Sequence, residues 1–241
     1  MLKEAFQYLV SLKENKTYEI DGITYSDHDL HLIEAPVYRR STMEFGSLDA
    51  IVKMVRTELT EINDLIGIPI FIHVEDHKNV SVFTRTDIQE KRLFPYKAVC
   101  NDTAFSEGWR KQQNAIIELR SRFIPTPDTE YLIGLISRIN NESGIQSNDN
   151  GVSQTVTVRS GVSLMASETI KPRICLKPFR TFREVPQPES EFILRLDDDG
   201  SIGLFEADGG VWKMEAKDNI MAYFNDELSD EIEDGLVVVM V

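Results

Sequence analysis

Cysteine, histidine and long apolar runs are scarce in this sequence, and each scarcity removes a class of protein. Two cysteines, Cys100 and Cys175, cannot build a disulfide framework. They read as buried thiols of a reducing compartment. No apolar stretch approaches the ~20 residues that a membrane-spanning helix requires. The run Leu236–Val241 (LVVVMV) reads instead as a buried terminal strand. Residues 1–16 carry Lys3, Glu4, Lys13 and Glu14 around a broken apolar stripe, unlike the continuous core of a secretory signal. The expectation is a cytoplasmic protein with no membrane partner. There is no Walker-type phosphate loop, no dinucleotide fingerprint and no Gly-x-Ser-x-Gly elbow, so no cofactor is expected. No internal repeat is present.

What is abundant is negative charge, and it is unevenly placed. The 241 residues carry a net charge of −14. Residues 186–241 hold 15 acidic and 3 basic side chains, a net of −12, against −2 for residues 1–185. An acidic surface repels nucleic-acid phosphates, which weighs against whole-surface DNA binding while leaving room for a local basic strip.

The hydrophobic pattern predicts an α+β fold, with antiparallel hairpins and helices packed on one face of the sheet. Apolar residues at helical spacing predict helices over 2–14, 48–63, 109–123, 128–139 and 211–228. Alternating or β-branched runs predict strands over 17–20, 23–26, 30–33, 68–74, 80–84, 93–100, 154–159, 173–182, 191–196, 202–206 and 236–241. Asp21-Gly22 lies between the first two, a strong hairpin signal. Residues 140–151 (NNESGIQSNDNG) are the most loop-like stretch. They suggest a more helical region over 1–145, with helix 2–14 an addition, and a β-rich region over 152–241. The alternative is one compact domain. The N-terminal amphipathic helix and the apolar terminal strand could each dock on a neighbour, so a homo-oligomer is expected.

Five groups of residues could carry chemistry. His28, His31, His73 and His77, with nearby carboxylates, form a reasonable divalent-metal set if two hairpins bring them together. Otherwise they are surface histidines near turns. Asp197-Asp198-Asp199-Gly200 resembles a calcium loop but would place Arg195 at the first ligand position, so a tight turn explains it better. Asp208 with Glu215-x-Lys217 has the order of a metal-dependent nuclease, yet Glu-x-Lys falls on a predicted helix rather than a strand. The strip Lys171–Arg183 holds Arg173, Lys177, Arg180 and Arg183 with Phe179 and Phe182, residues suited to phosphates and stacked bases. Its other reading is that the cations pair with the acidic C-terminal quarter while the phenylalanines enter the core. Finally, Asp226, Glu227, Asp230, Glu231, Glu233 and Asp234 form a dense acidic surface that could receive a basic partner.

The block 178–224 resembles the YfdQ-like phage and prophage proteins, a family without an assigned activity. The resemblance is carried by Pro178-Phe179-Arg180-Thr181-Phe182, Glu184-Val185, Gln187-Pro188, the Arg195 strand, Glu206-Ala207-Asp208-Gly209-Gly210 and Trp212-Lys213. Ala35-Pro36, Thr42 and Ser47-Leu48 fit it as well. It implies a bacteriophage or prophage origin, and hence a bacterial host cell, but no catalytic residue. The expected function is a non-catalytic phage accessory protein that binds a host or phage macromolecule, for instance in counter-defence. A nucleotide- or nucleic-acid-binding protein using residues 171–183 is the alternative. A metal-dependent hydrolase comes third.

Overall fold

The computed structural model describes residues 2–11, 17–20, 23–26, 41–61, 69–83, 95–101, 105–140, 145–149, 154–160, 163–197 and 199–241. The chain divides into two units, Met1–Arg40 and Ser41–Val241. The first contains helix α1 (Leu2–Ser11) and the antiparallel strands β1 (Thr17–Ile20) and β2 (Ile23–Ser26). Tyr18 pairs with Tyr25 and Ile20 with Ile23, as a hairpin closed at Asp21-Gly22 requires, although those two residues lie outside the described ones. The strand expected over 30–33 also falls outside them.

Among its described residues, the second unit holds two five-stranded sheets and one of three strands. In chain order it runs β3 (Met43–Phe45), α2 (Leu48–Glu61), β4 (Ile70–Val74), β5 (Asn79–Phe83), β6 (Tyr96–Val99), β7 (Gly108–Arg110), α3 (Gln112–Arg122), β8 (Phe123–Ile124) and α4 (Pro127–Asn140). There follow β9 (Ile145–Asp149), β10 (Gln154–Ser160), β11 (Ser163–Ile170), β12 (Arg173–Pro178), β13 (Ser190–Leu196), β14 (Ile202–Glu206), α5 (Trp212–Glu227), α6 (Ser229–Glu233) and β15 (Val237–Met240). The first large sheet has the order β15-β4-β5-β6-β3 and the second β7-β14-β13-β12-β8, while β11-β10-β9 form the third.

Pairing is antiparallel throughout except at the two edges of the first sheet, where β15 runs parallel to β4 and β3 parallel to β6. The expected α+β fold with antiparallel sheets is therefore present. Strand alternation creates the cores. Ile70, Ile72 and Val74 of β4 point inward against Leu48, Ile51, Val52 and Val55 of α2 and Ile220 and Phe224 of α5. Ile174, Leu176, Phe192, Leu194, Ile202 and Leu204 of the second sheet meet Ala115 and Leu119 of α3 and Leu132, Leu135 and Ile136 of α4. Each of the valine, leucine, isoleucine and phenylalanine side chains among them, fully buried, stabilises the fold by about 1.5–3 kcal/mol before entropy is counted.

Four expectations need correction. Residues 145–149 form a strand rather than loop, because β10 supplies their backbone partners whatever their polarity. The boundary drawn at 145–152 consequently does not separate two units. Strands β7 and β8, from before it, complete the sheet of β12–β14, and β15, from after it, completes the sheet of β4–β6. Cys175 is exposed, since alternation along β12 turns residues 173, 175 and 177 outward; Cys100 is buried as expected.

Trp109 belongs to a strand, not to the helix expected over 109–123. It pairs with Gly203, whose missing side chain lets the indole lie across β14. A Cβ at Gly203 would sit 2.8 Å from Cε2 of Phe205 and 3.2 Å from the Trp109 ring. Gly203→Ala should therefore destabilise the protein by roughly 1–3 kcal/mol, the usual cost of overpacking. Chemical denaturation checks this, and the loss should be smaller in a Phe205→Ala background, which removes the closer of the two ring contacts.

Candidate functional site

The basic strip was the most specific ligand signal in the sequence, and the structure neutralises most of it. Alternation along β12 sends Ile174 and Leu176 into the core and Arg173 and Lys177 outward, as expected. Both cations are paired, however. Arg173 lies 2.8 Å from Glu191 and Lys177 lies 3.3 Å from Glu189, while Lys171 reaches Asp128 at 2.9 Å. Exposed pairs of this kind contribute only about 0–1 kcal/mol each. They nonetheless discharge the strip, and Glu189 and Glu191 belong to the acidic quarter.

The strand ends at Pro178 rather than at Phe182, and the chain turns into a buried loop. The Gln187 carboxamide holds that loop: its oxygen accepts from the Arg180 and Thr181 N–H groups at 2.9 and 3.2 Å, and its nitrogen donates to the Phe182 carbonyl at 2.8 Å. Phe182 and Val185 thereby enter the first core. Of the residues expected to meet a phosphate or a base, Phe182 is 1% exposed and Arg180 2%. Neither presents itself to an external ligand. Arg183 is exposed and stacks over the Phe179 ring at 3.9 Å.

Arg180 is the centre of a network that sequence reading did not assemble. Its guanidinium bonds Glu206 Oε1 at 2.7 Å, Ser190 Oγ at 2.6 Å and the Pro188 carbonyl at 3.3 Å. It lies 3.9 Å over the Trp212 ring, whose Nε1 donates to the other oxygen of Glu206 at 3.2 Å. Ser190 passes a hydrogen bond on to Asp208 at 2.7 Å, and Asp208 also accepts from the Gly210 N–H at 3.0 Å. Gly209 and Gly210, at φ +64° and +83°, make the turn that brings Trp212 back over Arg180. Burial pushes the guanidinium down, and Glu206 and Asp208 oppose this. Burial also works to raise the Asp208 carboxyl, but the Ser190 hydroxyl, the Gly210 N–H and Arg180 outweigh it and hold it below the usual range.

This network joins the two sheets. Thr181 donates through Oγ1 to the carbonyl of His77, in the β4–β5 turn, at 2.6 Å. Glu184 accepts from the N–H of Leu48 at the start of α2 at 2.8 Å. The pattern is that of a buried cation whose two terminal nitrogens are bonded, with Nε alone lacking a hydrogen-bond partner, not of a cleft with converging free groups. The signal available in the sequence was the crowding of Arg180, Gln187, Glu206, Asp208 and Trp212 within one short block.

The remaining candidates separate. His28 and His31 lie outside the described residues. His73 is on β4 and His77 in the turn after it, both half-buried, and among the described residues no three His, Cys, Asp or Glu side chains group as a metal set. Glu215 and Lys217 sit two residues apart on α5, on different sides of the helix, while Asp208 is occupied by Ser190 and Gly210. The aspartate run is a turn: Gly200 adopts φ +77° and its N–H reaches the Asp197 carbonyl at 2.9 Å. Asp198 lies outside the described residues.

The acidic surface remains open. Asp226, Glu227, Asp230, Glu233 and Asp234 are exposed along the end of α5, across α6 and into the following turn. Glu231 differs: it is half-buried and pairs with Arg56 of α2 at 2.8 Å. The same arginine donates to the Glu227 carbonyl. Behind this surface, Phe224 and Leu228 are fully buried and fix the helices to the first core. No protein-family model, no curated protein and no solved structure matches the chain.

Proposed function

We propose that the chain is a non-catalytic accessory protein of the phage and prophage class, and that it binds a basic protein partner through the acidic surface of α5 and α6. The observation that carries this reading is the contrast between the two charged regions. Arg173, Lys177 and Arg180 of the basic strip are paired with glutamates within the fold, whereas five of the six acids between Asp226 and Asp234 face solvent on a rigidly anchored support. A surface of one sign speeds encounter with an oppositely charged partner and rejects partners of its own sign. The resemblance of residues 178–224 to YfdQ-like proteins supports the phage setting. The nucleotide-binding alternative loses Arg180 and Phe182 to the interior, and at the surface it keeps Arg173 and Lys177, both paired with glutamates, and Arg183 stacked on Phe179.

The test is affinity capture from a bacterial extract. The wild-type chain is compared with a variant carrying Lys at 226, 227, 230, 233 and 234, with Glu231 left to hold Arg56. Proteins retained by the wild type and lost by the folded variant should be basic. Equal retention by both chains would sink the reading.

A further inference from the structure

The contact between the β4–β5 turn and the start of α5 is built around one titratable ring. The His77 imidazole lies against the Trp212 indole with ring centroids 4.7 Å apart and planes at 78°. Arg180 occupies the indole at 3.9 Å. The turn keeps its own shape without His77, because Asp76 Oδ1 accepts from the N–H groups of Lys78 and Asn79 at 2.6 and 2.9 Å. What His77 adds is the attachment of that turn to the second sheet, beside the hydrogen bond from Thr181 to its carbonyl.

The charges facing the ring come from three elements. Asp76 and Lys78 lie on the turn itself, Arg180 on the loop after β12, and Lys213 on α5. Glu75 of the same turn points to Lys97 at 3.7 Å. The carboxylates of β14 and its turn, Glu206 and Asp208, are engaged by Arg180, Trp212, Ser190 and Gly210, and Glu215 of α5 acts on Arg180. A proton added to His77 would therefore meet three cations and one nearby carboxylate in a half-buried place.

We propose that His77 is a proton-operated latch: neutral, it holds the β4–β5 turn against Trp212, and protonated, it leaves the indole while both cores stay folded. Burial depresses the imidazole below its ordinary range, and Lys78, Lys213 and Arg180 reinforce this against Asp76. The sign follows. A histidine held neutral in the fold contributes its full stability above the ordinary histidine range, and that contribution is lost as pH falls from there through the depressed folded-state value. The device is independent of the partner-binding surface.

The chain contains two tryptophans, so Trp109→Phe leaves Trp212 as the single emitter. On titration from pH 8 to 5, Trp212 emission should change in a one-proton step with its midpoint below 6.5, while far-ultraviolet circular dichroism stays constant. The step should vanish in His77→Gln. If Trp109→Phe fails to fold, the Trp212 indole N–H resonance of the intact chain reports the same event. Absence of the step, its persistence in His77→Gln, or a parallel loss of secondary structure would each overturn the latch.

Discussion

Arg180→Ala should cost the protein about 3 kcal/mol or more. Removing one partner of a buried ion pair typically costs ~3–5 kcal/mol, because the other is left uncompensated. Here Glu206 keeps some access to solvent, at 21% of its side-chain surface, which places the effect toward the lower end. The loss includes the Ser190 and Pro188 bonds and the stacking on Trp212. Arg180→Lys, which keeps the charge without the planar fork, should lose less than the alanine variant but remain destabilised. Urea denaturation of the three chains measures this directly. A midpoint for Arg180→Ala equal to that of the wild type would mean that the network is not formed. The same result has a practical consequence: loss of nucleic-acid binding in an Arg180→Ala chain would report unfolding, not a missing contact.

Phe182→Ala should be of comparable size, about 3–5 kcal/mol, the usual range for emptying a phenylalanine site in a core. Phe182 is 1% exposed and packs in the cluster that contains Phe224 and Val185. Phe179→Ala, three residues earlier, should cost far less. Phe179 is half-buried and its ring carries exposed Arg183, a cation–π contact worth about 0.5–1 kcal/mol at the surface. Parallel thermal and urea unfolding would separate the two. Similar losses at both positions would contradict the loop geometry that Gln187 imposes.

These two substitutions show how far the sequence could be read. Local patterns were legible. The Asp-Gly signal marked β1 and β2, the apolar spacing of Leu48, Ile51, Val52 and Val55 marked α2, and the Leu236–Val241 run marked β15. Where the pattern was not local, reading failed. Residues 145–149 look like linker and become a strand only because β10 lies beside them. Trp109 scores as helix by its neighbours but is drawn into a sheet by Gly203.

The same division applies to the candidate site. Alternation correctly separated Ile174 and Leu176 from Arg173 and Lys177. It could not show that the strand would stop at Pro178, where proline removes a ladder donor, and that a glutamine side chain would then organise a buried loop. A basic residue in such a loop reads from sequence as a ligand contact, and only its partners reveal it as a joint. The acidic surface was legible from composition alone. The distinct position of Glu231 was not, because Arg56 lies on a helix far away in the chain.

The most direct test of the central claim is the affinity of the chain for its captured partner, measured at low and at physiological ionic strength. The wild type, the five-lysine variant and Glu231→Gln would be compared. If the surface of α5 and α6 is the binding site, wild-type affinity falls as salt rises, the five-lysine variant shows little binding at either salt, and Glu231→Gln stays close to wild type. Salt-independent affinity, unchanged in the five-lysine variant, would place the binding site elsewhere on the molecule.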